Sequence, residues 1–332
     1  MMESRYKNTS ENADVVLYSK AVLMRNLSHT PFPIKMNDDT KRAVVKKVFA
    51  CIKNSPLAQE FDLINTSDIS KAKALSYAEK DLISDSFAKE NSSFLLSKKE
   101  DVSIMINDDD HIRVSSFSAG QNPLYAYNKA NDIDDILIDG LPIAYSDKYG
   151  FLTSSPYNLG TGLNVSMVLH LPALAQRNVI PKLSTTVSKL GFVLDQMYDD
   201  GAGDFYILTN TVTLGITEKS AIDNLNSVCS QIVLQERKLR DSLKANAECE
   251  DKIYRSLGIL KLARKLSVNE FLNSISLVRL GISLGYFDYS YELIGDMMYN
   301  LFDATLVESS KSDLTQSMCE TLRAQIVREK LV

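Results

Sequence analysis

The chain has no basic excess, no long apolar run, no paired cysteines and no glycine in its first third, and each absence excludes something. Its 37 Lys and Arg against 42 Asp and Glu leave a net charge of -5. No basic stripe interrupts that balance, which argues against nucleic acid or an anionic membrane as the main partner. No stretch approaches the roughly 18 consecutive apolar residues of a spanning helix. Cys51, Cys229, Cys249 and Cys319 lie far apart without a CxxC pair, so neither a zinc site nor a disulfide framework is indicated. The opening MMESRYKNTSENAD is polar and carries acids, unlike a secretory leader. The expectation is a cytoplasmic protein with reduced thiols and no resident metal.

What is present fits two folded units in 332 residues. None of the 13 glycines precedes Gly120, and nine fall between Gly120 and Gly215, so tight backbone bends concentrate in the middle third. Val44, Val45, Val48, Phe49 and Ile52 recur at helical spacing, which predicts a helix over 39–54 capped by Asp38 or Asp39. Residues 102–117 read as strand, polar turn and strand, and 204–214 as a further strand. Residues 181–193 are predicted helical. Strands and helices intermixed without a βαβ glycine fingerprint favour an α/β or α+β domain with a largely antiparallel sheet.

From residue 218 a long amphipathic helix begins, with Ile222, Leu225, Val228, Cys229 and Ile232 at spacings of three and four. Ser267-Val-Asn-Glu270 forms a capping box ahead of another apolar helix. The resulting division is a polar tail (1–14), a mixed domain (15–241) and an all-α C-terminal domain (242–332). Cys51 and Cys229 read as core, and His29 and His170 as structural.

Residues 158–164, Asn-Leu-Gly-Thr-Gly-Leu-Asn, place two glycines just before an apolar run, a pattern that lets backbone approach an anionic ligand. Such a loop ordinarily faces a lysine or arginine. Here the next polar residue is Asn164.

Four stretches carry a resemblance: VVLYSKAVLMRNLSHTPFP (15–33), VSIMINDDDHIRV (102–114), GFLTSSPYNLGTGLNVSMVLHLPAL (150–174) and LTNTVTLG (208–215). With IYRSLGIL (253–260) and VRLGISLG (278–285), the chain resembles the ATP:guanido phosphotransferase, or phosphagen kinase, family and its bacterial protein-arginine kinase branch. The resemblance implies the α+β form, a phosphagen-kinase-type catalytic domain with a mainly antiparallel sheet flanked by helices, and transfer of the γ-phosphoryl group of magnesium ATP to a protein arginine. It also implies partners of the heat-shock-regulator or Clp-type protease class, or a paralogous kinase, and a homo- or heterodimer. In such enzymes arginines surround the phosphates, acids orient the guanidinium, and a cysteine beside the glycine loop touches it.

Carried over position by position, these roles meet substitutions. The family's Ser-Ser-Arg-x-Arg is Tyr18-Ser19-Lys20-Ala21-Val22. Its Asn-Glu-Glu-Asp-His-x-Arg is matched at Asn107, Asp110, His111 and Arg113, with both glutamates shortened to Asp108 and Asp109. Ser155 stands for the cysteine, Asn164 for the arginine of Gly-Thr-Gly-Leu-Arg, and Asp195 and Asp200 fall in the degraded Arg-Gly-x-Tyr-Gly-Glu segment. The resemblance therefore marks Asp108, Asp109, Ser155 and Asp200 as catalytic-equivalent positions. It marks Ser19, Lys20, Val22, His111, Arg113, Asn164, Ser166 and Asp195 as nucleotide positions. Each also has a plain reading: His111 and Arg113 could satisfy neighbouring backbone and aspartates, and an aspartate run suits a solvated turn.

The five arginine positions now read lysine, valine, arginine, asparagine and aspartate, a formal sum of +1 in place of +5. Losing one preorganised donor to a transition-state charge costs about 3 to 4 kcal/mol. Three losses and an added acid exceed about 8 kcal/mol, on the order of a millionfold in rate. The sequence thus points to a kinase-like protein that binds a partner kinase, a substrate protein or phosphoarginine without transferring phosphate, with at most weak magnesium ATP binding. The alternative is a divergent active kinase in which Lys20 or Lys148 rebuilds the clamp. A third reading makes the helical tail a dimerisation or adaptor surface. Where the branch carries Arg-Asp-x-x-Arg-Ala as a phosphoarginine pocket, this chain has Cys319-Glu320-Thr-Leu-Arg323-Ala324, leaving Glu320 and Arg323 as the candidate contacts.

Overall fold

The computed structural model describes residues 10–331, without the side chains of Asp199 and Asp200. Among these, one sheet of eight strands runs through the molecule, with every neighbouring pair antiparallel. Its strands are β1 (Val16–Arg25), β2 (Phe61–Asn65), β3 (Ser93–Ser97), β4 (Val102–Ile106), β5 (Ile112–Ala119), β8 (Leu163–His170), β9 (Phe192–Gln196) and β10 (Phe205–Asn210). The spatial order is β2-β3-β4-β5-β1-β8-β10-β9. The short strands β6 (Tyr145–Ser146) and β7 (Gly150–Phe151) form a separate hairpin.

Alternation along the strands gives the sheet two different faces. On one, Ala21, Leu23, Val165 and Leu208 pack with α1 (Asp38–Lys53), α4 (Pro123–Gly140) and α7 (Glu218–Leu243). On the other, Tyr18, Phe94, Phe117 and Val168 join a core with α2 (Lys71–Glu79) and α3 (Asp85–Lys89). That same core includes Phe271, Ile275, Met297 and Val327 from the helical tail. The tail comprises α8 (Ala247–Leu262), α9 (Val268–Leu284), α10 (Tyr291–Asn300), α11 (Asp303–Ser310) and α12 (Gln316–Lys330). Two short helices, α5 (Pro172–Gln176) and α6 (Ile180–Ser188), connect β8 to β9.

Helix α1 is capped by Asn37, whose side chain accepts from the Thr40 amide at 2.9 Å; Asp38 and Asp39 instead occupy the first turn, where carboxylates oppose the helix dipole. The capping residue Ser267 accepts from Glu270 N, and Thr217 starts the long helix by accepting from Ser220 N. The expected helix over 181–193 ends at Ser188. Gly191, at φ +83°, turns the chain, and a Cβ there would strike the Val212 side chain. The strand expected over 204–214 stops at Asn210, whose Nδ2 donates to the Leu163 and Val212 carbonyls and so fixes the turn that follows. Cys229 is fully buried, whereas Cys51 is only half-buried.

Candidate functional site

Register sets which side chains share the second face. Lys20 is opposite Ser166 and Phe117, Val22 is opposite Asn164 and Ser115, and Met24 is opposite Arg113. Thr209 is opposite Ser166, and Asp195 is opposite Ile207. Opposed residues in an antiparallel pair project to the same side. Lys20, Val22, Arg113, Asn164, Ser166 and Asp195 therefore lie on one surface built from five strands.

The glycine loop bends over that surface. Gly160 and Gly162 have φ of +101° and +59°. A Cβ at Gly160 would fall on the Thr213 backbone, and one at Gly162 on the Met24 carbonyl and the Arg25 guanidinium. The loop's Asn158 reaches Met24 Sδ at 3.2 Å. Beneath it opens a cleft of about 390 Å³, lined by Tyr157, Asn158, Asn164, Asp195, Thr209 and Thr211 among others, none of them lysine or arginine. Arg25 is buried elsewhere, paired with Asp134 at 2.6 Å and stacked on Phe151 at 3.5 Å. Burial outweighs that pairing and holds the Asp134 carboxyl above its ordinary range.

The two surviving cations are both neutralised within the chain. Lys20 Nζ contacts Asp81 Oδ1 at 2.6 Å and lies 5.2 Å from the Phe117 ring centre. Arg113 Nη1 contacts Asp108 Oδ2 at 3.2 Å. Burial raises the Asp108 carboxyl above its usual range, with Arg113 opposing and Asp109 adding to the rise.

Several expected ligand contacts serve the fold. Ser19 Oγ donates to Gly120 O at 2.7 Å and accepts from Asn122 N at 3.0 Å, fixing the start of α4. His111 is fully buried; its Nδ1 accepts from Leu27 N at 3.1 Å and its Nε2 donates to Pro31 O at 2.8 Å. Burial lowers the His111 pKa, the Pro31 bond and Asp110 opposing. Asp110 accepts from Asn26 Nδ2 and Ser154 N, each at 2.6 Å, tying the aspartate turn to the glycine loop. Asp109 is exposed at the tip of that turn, and Ser155 is half-exposed one residue before the Pro156–Asn158 turn. Asp200 lies outside the described side chains. Lys148 is exposed in the β6–β7 turn with its ammonium over Tyr149 and is absent from the cleft wall.

The tail residues do not form an open fork. Arg323 is fully buried and donates to the carbonyls of Leu301 and Leu266, each at 2.7 Å, and to the Asp303 carboxylate. Glu320 is half-exposed, and its backbone carbonyl accepts from Leu266 N.

Residues 43–239 match the family described as ATP:guanido phosphotransferase, C-terminal catalytic domain, and residues 246–332 match Protein-arginine kinase McsB C-terminal domain. The chain belongs to the ATP:guanido phosphotransferase family. Its relatives include the protein-arginine kinases of Clostridium acetobutylicum and Halothermothrix orenii, at 36% and 37% identity. Those alignments cover 99% and 96% of this chain and 100% and 93% of the relatives, which places it in the protein-arginine kinase branch. The duplicated taurocyamine kinase of Schistosoma mansoni, with bound transition state analog components, shares the fold at a TM-score of 0.63 and 20% identity. That match covers 82% of this chain and 40% of the longer kinase. A lombricine kinase aligns with a TM-score of 0.60 at 17% identity, over 71% of this chain and 69% of its own.

Within this ATP:guanido phosphotransferase fold, the positions that the resemblance assigns to nucleotide are poor in the positive charge that a magnesium triphosphate calls for. Formal charge at the five positions is +1, and Asp81 and Asp108 bring the local sum to -1. Sequence reasoning missed Asp81, which is 61 residues from Lys20 and carries no motif. It also missed Thr209, which strand alternation and the Ser166 register would have placed on the face.

Proposed function

We propose that this member of the protein-arginine kinase branch has lost phosphoryl transfer and acts by binding protein. The observation carrying this reading is the cleft wall without lysine or arginine, beside two cations already paired with Asp81 and Asp108. Phosphoryl transfer depends on positioning and on neutralising phosphate charge, so a surface of this sign lacks the main catalytic contribution. Candidate partners remain those the family resemblance implies: a paralogous kinase, a heat-shock regulator or a Clp-type protease component, engaged as a homo- or heterodimer. A protein ligand is favoured over free phosphoarginine because Arg323 is buried with its donors already satisfied. No helix of the described residues is long and apolar enough to cross a membrane, and a cytoplasmic site of action suits four thiols outside any disulfide.

The divergent-kinase alternative requires further cations in the cleft. Calorimetric titration with magnesium ATP separates the two readings. The proposal expects no saturable binding below the millimolar range, and micromolar binding would favour the kinase.

A further inference from the structure

Another cavity, of about 280 Å³, opens between α5 and the tail helices α8 and α9. Its walls are largely aliphatic, from Pro172 and Ala175 on α5 and Leu277 and Leu280 on α9. One carboxylate, Asp204, lines it. Asp204 ends the Asp199–Asp204 turn in a left-handed conformation, φ +54°, held by its carbonyl accepting from Leu171 N at 3.0 Å. That conformation is one aspartate and asparagine tolerate.

The half-buried Asp204 carboxylate has no hydrogen bond or ion pair among the described residues. Burial, and then the charge of nearby Glu236, push its pKa up to about 6. Glu236 cannot relieve it: fully buried, it accepts from Ala173 N and Leu174 N and pairs with Arg240 at 2.8 Å. The other ionisable groups around Asp204 are Tyr206 on β10 and Cys249 and Lys252 on α8. Burial raises both the Tyr206 hydroxyl and the Cys249 thiol. Lys252 also lines the cavity, and its ammonium pairs with Glu248 at 2.9 Å, with both side chains more than half exposed. The cavity thus combines aliphatic walls with one uncompensated negative charge.

We propose that this cavity binds a small organic monocation, an alkylguanidinium or alkylammonium, whose head pairs with Asp204 while its stem lies against Leu277 and Leu280. A cation there supplies the charge partner that the carboxylate lacks within the chain. Its walls come from both the catalytic domain and the tail, so an occupant ties the two together. The site is separate from the cleft under the glycine loop and holds whether or not phosphoryl transfer has been lost.

The test is a methyl NMR titration of the full chain with n-butylguanidinium, using n-butylurea as the uncharged analogue. Saturable shifts of the Leu277, Leu280 and Ala175 methyls are expected, at least about tenfold weaker for the urea and for Asp204→Asn. Affinity of the unsubstituted chain should fall about tenfold from pH 7 to pH 5, as an acid with a pKa near 6 takes up its proton. The proposal is overturned if these methyls show no saturable shift, if the urea binds equally, or if neither Asp204→Asn nor acidification weakens binding. The urea comparison and the pH series use the unsubstituted chain and stand even if the variant folds poorly.

Discussion

Lys20 and Asp81 form an ion pair of 2.6 Å in which Lys20 is 15% and Asp81 42% exposed. The lysine that the family resemblance sets at the first arginine position is thereby paired with a carboxylate from the loop after α2. Tyr18 on the same strand also directs its hydroxyl to Asp81, at 3.4 Å.

Asp81→Asn removes the carboxylate paired with Lys20 and so makes the local potential more positive. A partly exposed pair contributes little, so the stability loss should stay within about 1 kcal/mol. Affinity for inorganic phosphate should rise several-fold at low salt. Urea melts and phosphate titration check both; unchanged phosphate binding would show that the Asp81 charge does not govern anion affinity there.

Asn164 and Asp195 both line the cleft, and replacing both by arginine changes the local formal charge by +3. Magnesium ATP affinity of the double variant should increase at least about tenfold at low ionic strength, and the gain should shrink as salt screens it. Calorimetry at two salt concentrations measures this. A gain insensitive to salt would mean that charge is not the missing element.

Arg323→Ala should destabilise the helical tail by about 3 to 5 kcal/mol, because it leaves two buried carbonyls and Asp303 without their donor. Arg42→Ala breaks a pair whose partners are 67% and 89% exposed and should cost under about 0.5 kcal/mol. Thermal melts of the two variants compare them. Equal losses would contradict the structural role assigned to Arg323.

His111 and His170 are both fully buried, with pKa values lowered by burial, that of His170 well below its ordinary 6.5. Between the folded pKa and 6.5 the unfolded chain binds more protons, so their contribution is complete above pH 6.5 and is lost as pH falls below it. Asp204 works the other way: its pKa is raised to about 6, so it favours the folded state at low pH and loses that contribution as pH rises through 6. As pH falls from 6.5 to 5.5 the two histidines therefore lower stability while Asp204 opposes them. His170→Asn lowers stability at pH 7.5 but should flatten this slope, and urea midpoints at several pH values test it. A slope unchanged by that variant would remove His170 from the account.

Much of the fold was legible in the sequence because its signals are local. The periodicity of Val44, Val48 and Ile52 marked α1, the Ser267 box marked α9, and the aspartate turn separated β4 from β5. Boundaries were less legible where tertiary contacts decide them, as at Ser188, where Gly191 packs on Val212, and at Asn210, whose amide bonds pull the chain out of the sheet. At the site, Val22, Asn164 and Asp195, which stand where the resemblance calls for arginines, were readable as missing charge. The pairing of Lys20 with Asp81 and the burial of Arg323 against Leu266 and Leu301 were not, since both join segments distant in sequence.

On the proposed reading this surface does not stabilise a migrating phosphoryl group, and phosphoarginine formation reads that out without an intermediate step. The purified chain, magnesium ATP labelled at the γ-phosphate and an unfolded arginine-rich protein should give a turnover about a millionfold below the roughly 1 to 100 s⁻¹ of kinases, indistinguishable from a control without protein. Acid-labile label on arginine appearing at about 0.1 s⁻¹ or faster, and retained when the preparation is shown free of other kinases, would contradict it.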